Sequence, residues 1–479
     1  MHLVMTNSQK SSISDSTIRL SQDQVCPLSG DDSMLDTIRA VQQEPEWAAF
    51  AAIDWADQQH TWTLVPAGSS LPQRGKVENT PEALHLWATA LSVQFGGRPI
   101  AVCLEQCRGL LIYALSKYAH LVLFPVHPTT AARYRQTFSP SGAKDDPRDA
   151  DSLLDLLLHH RDHFPRWQPD TVTNRHLQRL VEQRRLMVHE KTRQSNRLTA
   201  CLKTFFPQIL QWFDDITAPV VADLLKRWPT LEQLQHSHPG TLKKFFLQHN
   251  SRSEKRIQAR LNAIYQAVSS THDEAVLESE SIAALGFLRL LKTLGENIEI
   301  LDHRIQQLVA THPDAPIFAS LPGAGPATIP RLIVAFGSRR ERWTSAYEMQ
   351  CYSGIAPVKE ASGRHEWIHF RRSCPKFLRQ TFHEYAFLST NKSPWAQAYY
   401  RHQREKGIAH PAAVRSLAYK WIRIIFRCWK DSQPYDEARY AAAQQKRNSP
   451  LAALGIDTKE VAGFQKPALK KSCSKRLTE

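Results

Sequence analysis

The sequence lacks the features by which membrane-spanning, secreted and zinc-ribbon proteins are recognised. No segment approaches the roughly 18 consecutive apolar residues that a membrane helix needs, and the opening MHLVMTNSQK has no apolar signal-peptide core. The eight cysteines are scattered without a Cys-x-x-Cys pair, which argues against zinc ribbons and disulfide scaffolds and predicts a reducing compartment. We therefore expect a cytoplasmic protein with no membrane partner.

Acidic residues are in short supply relative to basic ones. Lysine and arginine number 61 against 46 acids, so the formal net charge is +15. Such a surplus favours a polyanionic partner, because each phosphate that a cation neutralises releases counterions. A membrane surface would need a basic amphipathic helix with a broad apolar face, which the sequence does not contain. Nucleic acid is therefore the expected partner.

The chain of 479 residues is too long for one hydrophobic core, and its composition divides it into five parts. Residues 1–46 are polar and predict a flexible extension. Residues 47–165 alternate between strands and helices, which predicts an α/β domain with at least part of its sheet parallel. Residues 166–315 are helical throughout, which is typical of an antiparallel coiled arm. Residues 316–432 predict a mainly helical domain, and residues 433–479 a basic, disordered tail. The expected fold class is α/β plus all-α.

Four acidic residues from three separate segments could form a metal site. Asp54 ends the apolar strand FAAID and Glu105 ends the apolar strand AVCLE, while Asp146 and Asp149 begin the helix of KDDPRDADSLLD. An acid at the end of a buried strand is costly unless it is paired or metal-bound, and residues spaced i, i+3 share one side of a helix. Four such carboxylates can hold two Mg²⁺ ions about 4 Å apart, as in phosphodiester chemistry.

Simpler interpretations of these acids remain open. Asp54 could be an ordinary turn residue after a strand, and Asp146 before Pro147 could be the N-cap of a helix with proline in its first turn. Three neighbouring acids compete for the ligand roles: Asp57, Asp145 and Asp151.

A second motif, LPGAGP, spans residues 321–326. A Pro-Gly-x-Gly turn between helices exposes successive backbone N–H groups, which form a nest that accepts a phosphate. We therefore expect Gly323 and Gly325 to contact a nucleic-acid backbone without reading its sequence. A plain interhelical turn is the alternative.

A third motif, CYSGIAPVKEASGRHEWIHFRRSCPKF, places Ser353 and Ser362 next to glycines and beside a basic run. Its cations could bind backbone phosphates and stabilise a transferring phosphoryl group, although a simple turn would also explain a Ser-Gly step. The arginines predicted to bind nucleic acid are Arg364, Arg371 and Arg372 here, and Arg184 and Arg185 on the basic face of the arm.

In this order the three motifs resemble the DEDD transposases of the IS110 insertion-sequence family, over residues 48 to 430. The resemblance is carried by AAIDWADQQH, LEQC, KDDPRDADSLL, SLPGAGPATIPRL, and YSGIAPVKEASG followed by FRRSCPKFLRQTF. KDDPRDA fits the family pattern K-x-D-x-x-D-A, which selects Asp146 and Asp149 over Asp145 and Asp151. Their ordered combination is specific, whereas no single motif is.

The resemblance implies a RuvC-like ribonuclease-H fold in the first domain and an acidic tetrad that binds Mg²⁺, formed by Asp54, Glu105, Asp146 and Asp149. It also implies a C-terminal transposase domain whose serine attacks a DNA phosphodiester and forms a phosphoserine link. In the family this serine follows a G-[LI]-x-P segment in a Ser-Gly step, which maps to Ser362, with Ser353 as the runner-up. The implied function is that of a transposase and site-specific recombinase of an insertion sequence.

The resemblance also implies partners. DNA is expected at the element ends and at the target, which would make the protein nucleoid-associated. In relatives the helical arm helps to build dimers and tetramers, so a homodimer or homotetramer is expected. In some relatives a structured RNA encoded by the element pairs with donor and target DNA, and such a guide RNA is a further candidate partner here.

Two rival functions use the same residues. A hydrolytic nuclease of the junction-resolving type would use the four acids with water in place of serine as the nucleophile. A decayed transposase would bind nucleic acid without catalysis, although candidates at all four acidic positions argue against decay.

Overall fold

The computed structural model describes residues 46–105, 109–138, 146–249, 253–363 and 365–447. It divides into two compact units, one ending at Gln168 and the other beginning at Pro169. The extension predicted for residues 1–46 lies outside the described residues except at its last position. Among the helices described, none combines the length and the apolar character that crossing a membrane requires.

A five-stranded mixed sheet forms the centre of the first unit. Its strands are β1 (Ala49–Asp54), β2 (Gln59–Pro66), β3 (Gln73–Glu78), β4 (Ile100–Leu104) and β5 (Leu121–Pro125). They lie in the order β3-β2-β1-β4-β5. β2 is antiparallel to both β1 and β3, whereas β1, β4 and β5 run parallel. The predicted α/β domain with a partly parallel sheet is confirmed.

Helices cover both faces of this sheet. They are α1 (Pro81–Gln94), α2 (Leu110–Leu115), α3 (Pro128–Phe138) and α4 (Asp146–His160), followed by a 3₁₀ turn at Arg161–His163. Successive strand residues point to opposite faces, so Ile53 packs in the core beneath α1 while Ala52 packs in the core beneath α4. α1 begins at a strong start signal, since the Thr80 side chain accepts a hydrogen bond from the Ala83 amide and Pro81 follows directly.

Two long helices dominate the second unit, α5 (Val172–Phe205) and α11 (Glu274–Ala310). They pack antiparallel, because Arg184 near the start of α5 pairs with Asp302 near the end of α11. At the opposite end the Cys201 thiol donates to the Glu280 carbonyl. The two long helices thus lie antiparallel along each other.

The far end of this arm carries a small helical lobe with its own hydrophobic core. Its helices are α6 (Ile209–Trp212), α7 (Pro219–Arg227), α8 (Leu231–Gln235), α9 (Pro239–Gln248) and α10 (Glu254–Gln266). The near end of the arm belongs to a different core, since Leu177, Val181 and Ile305 pack with Phe336 and Trp421 of the C-terminal domain. The arm therefore joins two cores within one compact unit.

The C-terminal domain is mainly helical, as predicted. Its helices are α12 (Ala315–Ala319), α13 (Ile329–Phe336), α14 (Ala346–Tyr352), α15 (Lys376–Ser389), α16 (Pro394–Glu405), α17 (His410–Lys430) and α18 (Glu437–Lys446), with a 3₁₀ turn at Arg340–Arg342. One hairpin interrupts them, formed by β6 (Val358–Ser362) and β7 (His365–His369) in antiparallel pairing.

The prediction that disorder begins at residue 433 is wrong for the part of the tail that the structure describes. Tyr435 is buried in the domain core, where its hydroxyl accepts a hydrogen bond from Trp395 Nε1 at 2.9 Å. Its backbone amide donates to Ser320 Oγ at 2.7 Å, and α18 follows. Aromatic anchors in a polar segment thus extend the domain to residue 447, and residues 448–479 lie outside the described chain.

Candidate active site

Two of the predicted acids lie side by side at the carboxyl edge of the sheet. β1 and β4 are parallel neighbours, with Ile53 paired to Leu104. Asp54 is the last residue of β1 and Glu105 directly follows β4. Each is therefore the residue after the Ile53–Leu104 pair, and the two lie at the same level of the sheet. Asp54 is buried, and the alternation of β1 places it on the same face as Ala52, which is the face that α4 covers.

α4 contributes the third acid. Asp149 lies in its first turn and is only 3% exposed. Its Oδ2 accepts a hydrogen bond from Arg135 Nη1 of α3 at 2.6 Å. Its Oδ1 is buried and has no hydrogen-bond partner among the described residues. A carboxylate in such a place ordinarily pairs fully, because an unsatisfied buried acceptor costs free energy.

Glu105 and Asp149 share a small cavity. It measures about 10 Å³, which is room for about one water molecule. Tyr134, Arg135 and Ser152 line it together with the two acids. The structure therefore brings together a strand-end acid and a helix acid that are far apart in sequence.

The fourth acid, Asp146, is the first residue of α4, but its side chain lies outside the described part of the chain. Within the described residues, no three His, Cys, Asp or Glu side chains form a group that could hold a metal ion. Arg135 on Asp149 is one physical reason, since a guanidinium occupies one oxygen of a predicted ligand. The four-acid metal site accordingly stays a prediction.

Two other acids of α4, the competitor Asp151 and Asp155, have structural partners. Asp151 accepts a hydrogen bond from Thr63 Oγ1 at 2.8 Å and pairs with Arg74 at 3.0 Å, which ties α4 to β2 and β3. Asp155 accepts from the Tyr134 hydroxyl at 2.5 Å. These bonds account for two acids of the cluster without a metal and favour Asp149 as the ligand.

The turn after Asp54 depends on a histidine that the sequence analysis missed. His60 is fully buried; its Nδ1 accepts from the Ala56 amide at 3.2 Å and its Nε2 donates to Asn79 Oδ1 at 3.1 Å. Asn79 in turn donates to the Asp57 carbonyl at 2.9 Å. Burial lowers the pKa of His60, partly offset by its bond to Asn79. The alternation of QHTWT could have indicated its burial.

The two candidate serines differ sharply in access. Ser353 follows α14 and is fully buried, and its Oγ donates to the Gln350 carbonyl at 3.2 Å. Ser362 ends β6 and is exposed. Its partner across the hairpin is His365.

One face of this hairpin gathers polar and aromatic side chains around Ser362. Glu360 is two residues away on the same strand and pairs in register with Trp367, so both share the face of Ser362 and His365. The rings of His365 and Trp367 stack with centroids 5.9 Å apart. Gly363, in the turn, has φ +58°, a conformation that favours glycine.

The predicted nucleic-acid contacts are placed in different surroundings. Arg184 is ion-paired with Asp302, and Arg185 lies 5.6 Å from the ring centre of Phe377. Burial and the neighbouring Arg331 guanidinium lower the pKa of Arg185. Arg371 and Arg372 lie after the hairpin: Arg371 donates to the Ala356 carbonyl at 3.3 Å, and Arg372 is exposed. Arg364 lies outside the described residues.

The LPGAGP turn joins α12 to α13, as an interhelical turn should. Gly323 has φ +79°, and a Cβ there would lie 2.7 Å from the Leu388 carbonyl oxygen. Gly325 meets nothing within 4 Å, and its carbonyl accepts the Thr328 and Ile329 amides at the start of α13. Packing alone explains Gly323, so the phosphate nest stays a prediction.

The comparison with known families and proteins agrees with this arrangement. Residues 51–207 match the DEDD transposase family of IS110 type, described as a transposase, and residues 315–401 match the family described as Transposase IS116/IS110/IS902. The first match contains Asp54, Glu105, Asp146 and Asp149, and the second contains Gly323, Gly325, Ser353 and Ser362.

Three curated relatives differ in the share of their length that this chain matches. The "Mini-circle putative transposase for IS117" of Streptomyces coelicolor is 27% identical over 415 residues, 83% of this chain and 97% of that protein. A 43.6 kDa protein of insertion element IS110 from the same species is 24% identical over 80% of this chain and 94% of its own length. The pilin gene-inverting protein of Moraxella bovis is 28% identical over 30% of this chain and 46% of its own.

The two family matches, which fall on the α/β domain and on the helical C-terminal domain, define the chain as a transposase of the DEDD class. It belongs to the IS110 family of insertion-sequence transposases.

Replacing Gly323 by alanine should destabilise the second unit. We expect a loss of about 1–3 kcal/mol, because a side chain is disfavoured at this positive φ and its Cβ would meet the Leu388 carbonyl. Gly325→Ala is the matched control and should change stability by less than about 0.5 kcal/mol. Thermal or urea unfolding measures both; equal losses would contradict the packing explanation.

Acidification should loosen the turn after Asp54. The pKa of His60 is lower in the folded chain than its ordinary value, so its stabilising effect is complete above about pH 6.5 and is lost as the pH falls below that value. A protonated Nδ1 can no longer accept the Ala56 amide. Hydrogen exchange of that amide, corrected for its intrinsic rate, should be constant above about pH 6.5 and accelerate as the pH falls below that value. His60→Gln should remove the pH dependence, and unchanged protection of the wild type would refute the idea.

Proposed function

We propose that this protein is the transposase of an insertion sequence and cuts and rejoins DNA through a serine nucleophile and carboxylate-held Mg²⁺. Two observations carry the proposal: Asp54 and Glu105 follow the ends of paired parallel strands, and Glu105 and Asp149 line one cavity. These acids come from segments 51 and 44 residues apart, yet they converge where sites of α/β domains assemble.

The sheet supports a RuvC-like ribonuclease-H fold for the first domain. Its order, β3-β2-β1-β4-β5, with an antiparallel meander followed by two parallel crossovers, is consistent with that fold. This strand order makes β1 and β4 parallel neighbours, whose carboxyl ends lie at the same edge of the sheet. The fold thus supplies two of the four acids before any loop is considered.

The acids suit a hard divalent cation. Carboxylate oxygens are the ligands that Mg²⁺ prefers, and Asp149 Oδ1 is a buried acceptor without a hydrogen-bond partner among the described residues. The residues that would hold the ion are Asp54, Glu105, Asp146 and Asp149. When bound, Mg²⁺ supplies Lewis-acid stabilisation of the charge that develops on the phosphate oxygens.

Ser362 is the proposed nucleophile. Its hydroxyl is exposed near the tip of the hairpin, whereas that of Ser353 is buried and already donates to a carbonyl. A nucleophile has to reach its substrate, which supports Ser362 over Ser353. In the proposed step a bond forms between Ser362 Oγ and phosphorus while the bond from phosphorus to the 3′ oxygen breaks. The Oγ proton passes to solvent, and the departing 3′ oxygen takes up a proton from solvent to become a 3′ hydroxyl. Rejoining reverses this step on another strand end.

The partners follow from charge and from the arm. A formal net charge of +15 suits a DNA substrate. The exposed apolar side chains Leu186, Leu290 and Ile300 on the arm suit a homodimer or homotetramer. A structured guide RNA would draw on the same basic surplus, and the proposal includes it as a partner that the flanking noncoding DNA of the gene would encode.

Ser362→Ala should abolish the covalent protein–DNA adduct. The rate of recombination of a plasmid carrying the element ends should fall at least about a thousandfold, because no other group replaces the nucleophile. Ser353→Ala is the matched control and should leave the adduct intact. Adduct formation is measured as DNA that migrates with the denatured protein.

Two results would contradict the serine mechanism in different ways. If Ser362→Ala still cut DNA and the wild type formed no adduct, the protein would be a hydrolytic nuclease that uses water. If the wild type bound the DNA but neither cut nor recombined it with Mg²⁺ present, the decayed-transposase interpretation would hold.

Asp149→Asn should reduce Mg²⁺-dependent strand cleavage roughly a hundredfold or more, as the loss of one charge-stabilising group does in other enzymes. Asp151→Asn, on the same helix, removes an acid that pairs with Arg74 at 3.0 Å. It should cost at most about 1 kcal/mol of stability and leave cleavage nearly unchanged. Equal effects of the two variants on cleavage would refute the assignment of Asp149.

A further inference from the structure

Arg135 is a cation placed directly against a proposed metal ligand. It belongs to α3, reaches across to α4, and binds Asp149 Oδ2 at 2.6 Å. It also lines the cavity of about 10 Å³ that Glu105 and Asp149 share. A guanidinium and a divalent ion are thus directed at one carboxylate in a space that has room for about one water molecule.

We propose that Arg135 exchanges partners during the reaction: it neutralises Asp149 before the metal binds and binds a DNA phosphate once a divalent cation takes over Asp149. The proposal rests on the metal site of the proposed function and adds to it a residue that couples metal binding to DNA binding.

The first part of the proposal, that Arg135 neutralises Asp149 before the metal binds, follows from the burial of Asp149. Asp149 is 3% exposed, and an unpaired carboxylate at that depth would carry a desolvation penalty of several kcal/mol. Arg135 offsets this penalty in the chain as observed. A divalent cation on the same carboxylate makes the guanidinium unnecessary and repels it, because like charges a few ångströms apart are unfavourable at the effective dielectric of a protein site.

The second part of the proposal, that Arg135 then binds a DNA phosphate, follows from the position and the chemistry of its guanidinium. The Arg135 side chain is 28% exposed, so it reaches solvent from the edge of the cavity. A guanidinium presents a planar fork of donors that matches two phosphate oxygens. The substrate phosphate has to approach the acids that line this cavity. Arg135 released from Asp149 is therefore close to an anion that would replace its lost partner.

The exchange predicts a reciprocal coupling between the two ligands. DNA draws Arg135 away from Asp149 and should tighten Mg²⁺ binding, while Mg²⁺ should tighten DNA binding by the same factor. Without the guanidinium, Mg²⁺ should bind tightly from the start and gain little from DNA.

The test is the Mg²⁺ affinity of the full chain, measured by titration calorimetry with and without a short duplex carrying the element end. For Arg135→Gln we expect Mg²⁺ to bind roughly tenfold more tightly without DNA, and the tightening by DNA that the wild type shows to disappear. Arg133→Gln is the matched control, because Arg133 is an exposed arginine two residues away on the same helix; it should behave as the wild type does.

Weaker Mg²⁺ binding by Arg135→Gln would overturn the proposal and make Arg135 a residue that orients Asp149 for the metal. Unchanged coupling would overturn it as well. If Arg135→Gln does not fold, Arg135→Lys serves: it keeps the charge but not the fork, so the coupling should shrink, and full coupling would count against the exchange. Asp149→Asn distinguishes failure of the proposed exchange from failure of the proposed function. If that change left Mg²⁺ binding unaffected, the proposed metal site itself would be wrong.

Discussion

The parallel pairing of β1 with β4 is the constraint on which the candidate site depends. Its register sets Ile53 opposite Leu104, so Asp54 and Glu105 follow at the same level. A slip of one residue would turn Asp54 towards the core beneath α1, where the strand neighbours are apolar. Packing on both faces of the sheet opposes such a slip, because Ile53 would leave the core beneath α1 and Asp54 would enter that apolar core. The acids are therefore positioned by the packing of residues that take no part in chemistry.

The dense acidic start of α4 becomes understandable once each carboxylate is followed to its partner. Asp151 binds Thr63 and Arg74 and so fixes the helix to the antiparallel half of the sheet. Asp155 binds Tyr134 of α3. Asp149 remains, buried at the cavity with one oxygen on Arg135. α4 is thus anchored to its neighbours through Asp151 and Asp155, and these bonds leave Asp149 as the acid that faces the cavity.

The sequence predicted those parts of the fold that strong local patterns encode. β1, β2, β4 and β5 are apolar strands with turn signals, and the two long arm helices have sustained periodicity. K-x-D-x-x-D-A predicts a role for Asp149 and not for Asp151, and Asp151 is the one that bonds to the sheet; the role of Asp149 stays a prediction. β3 was not predicted, because Val77 is its only buried residue and it has no apolar alternation. α18 was missed because Tyr435 depends on Trp395 and Ser320, which are 40 and 115 residues away. Partners of that kind leave no local signal.

The same distinction explains why no motif singles out Arg135, whereas the predicted acids lie in motifs. Asp149 belongs to KDDPRDA, but the arginine that binds it lies in an ordinary helix segment, RYRQTF. The hairpin that carries Ser362 likewise depends on residues outside its own two strands. A two-stranded hairpin is marginal alone. Before it, Gly354 has no Cβ and so lets the Cys374 side chain pack closely, and Arg371 after it donates to the Ala356 carbonyl. These contacts fix the base of the hairpin, while Ser362 near its tip stays exposed, as the proposed nucleophile requires. A reactive group needs both conditions, and only residues distant in the chain can supply the first.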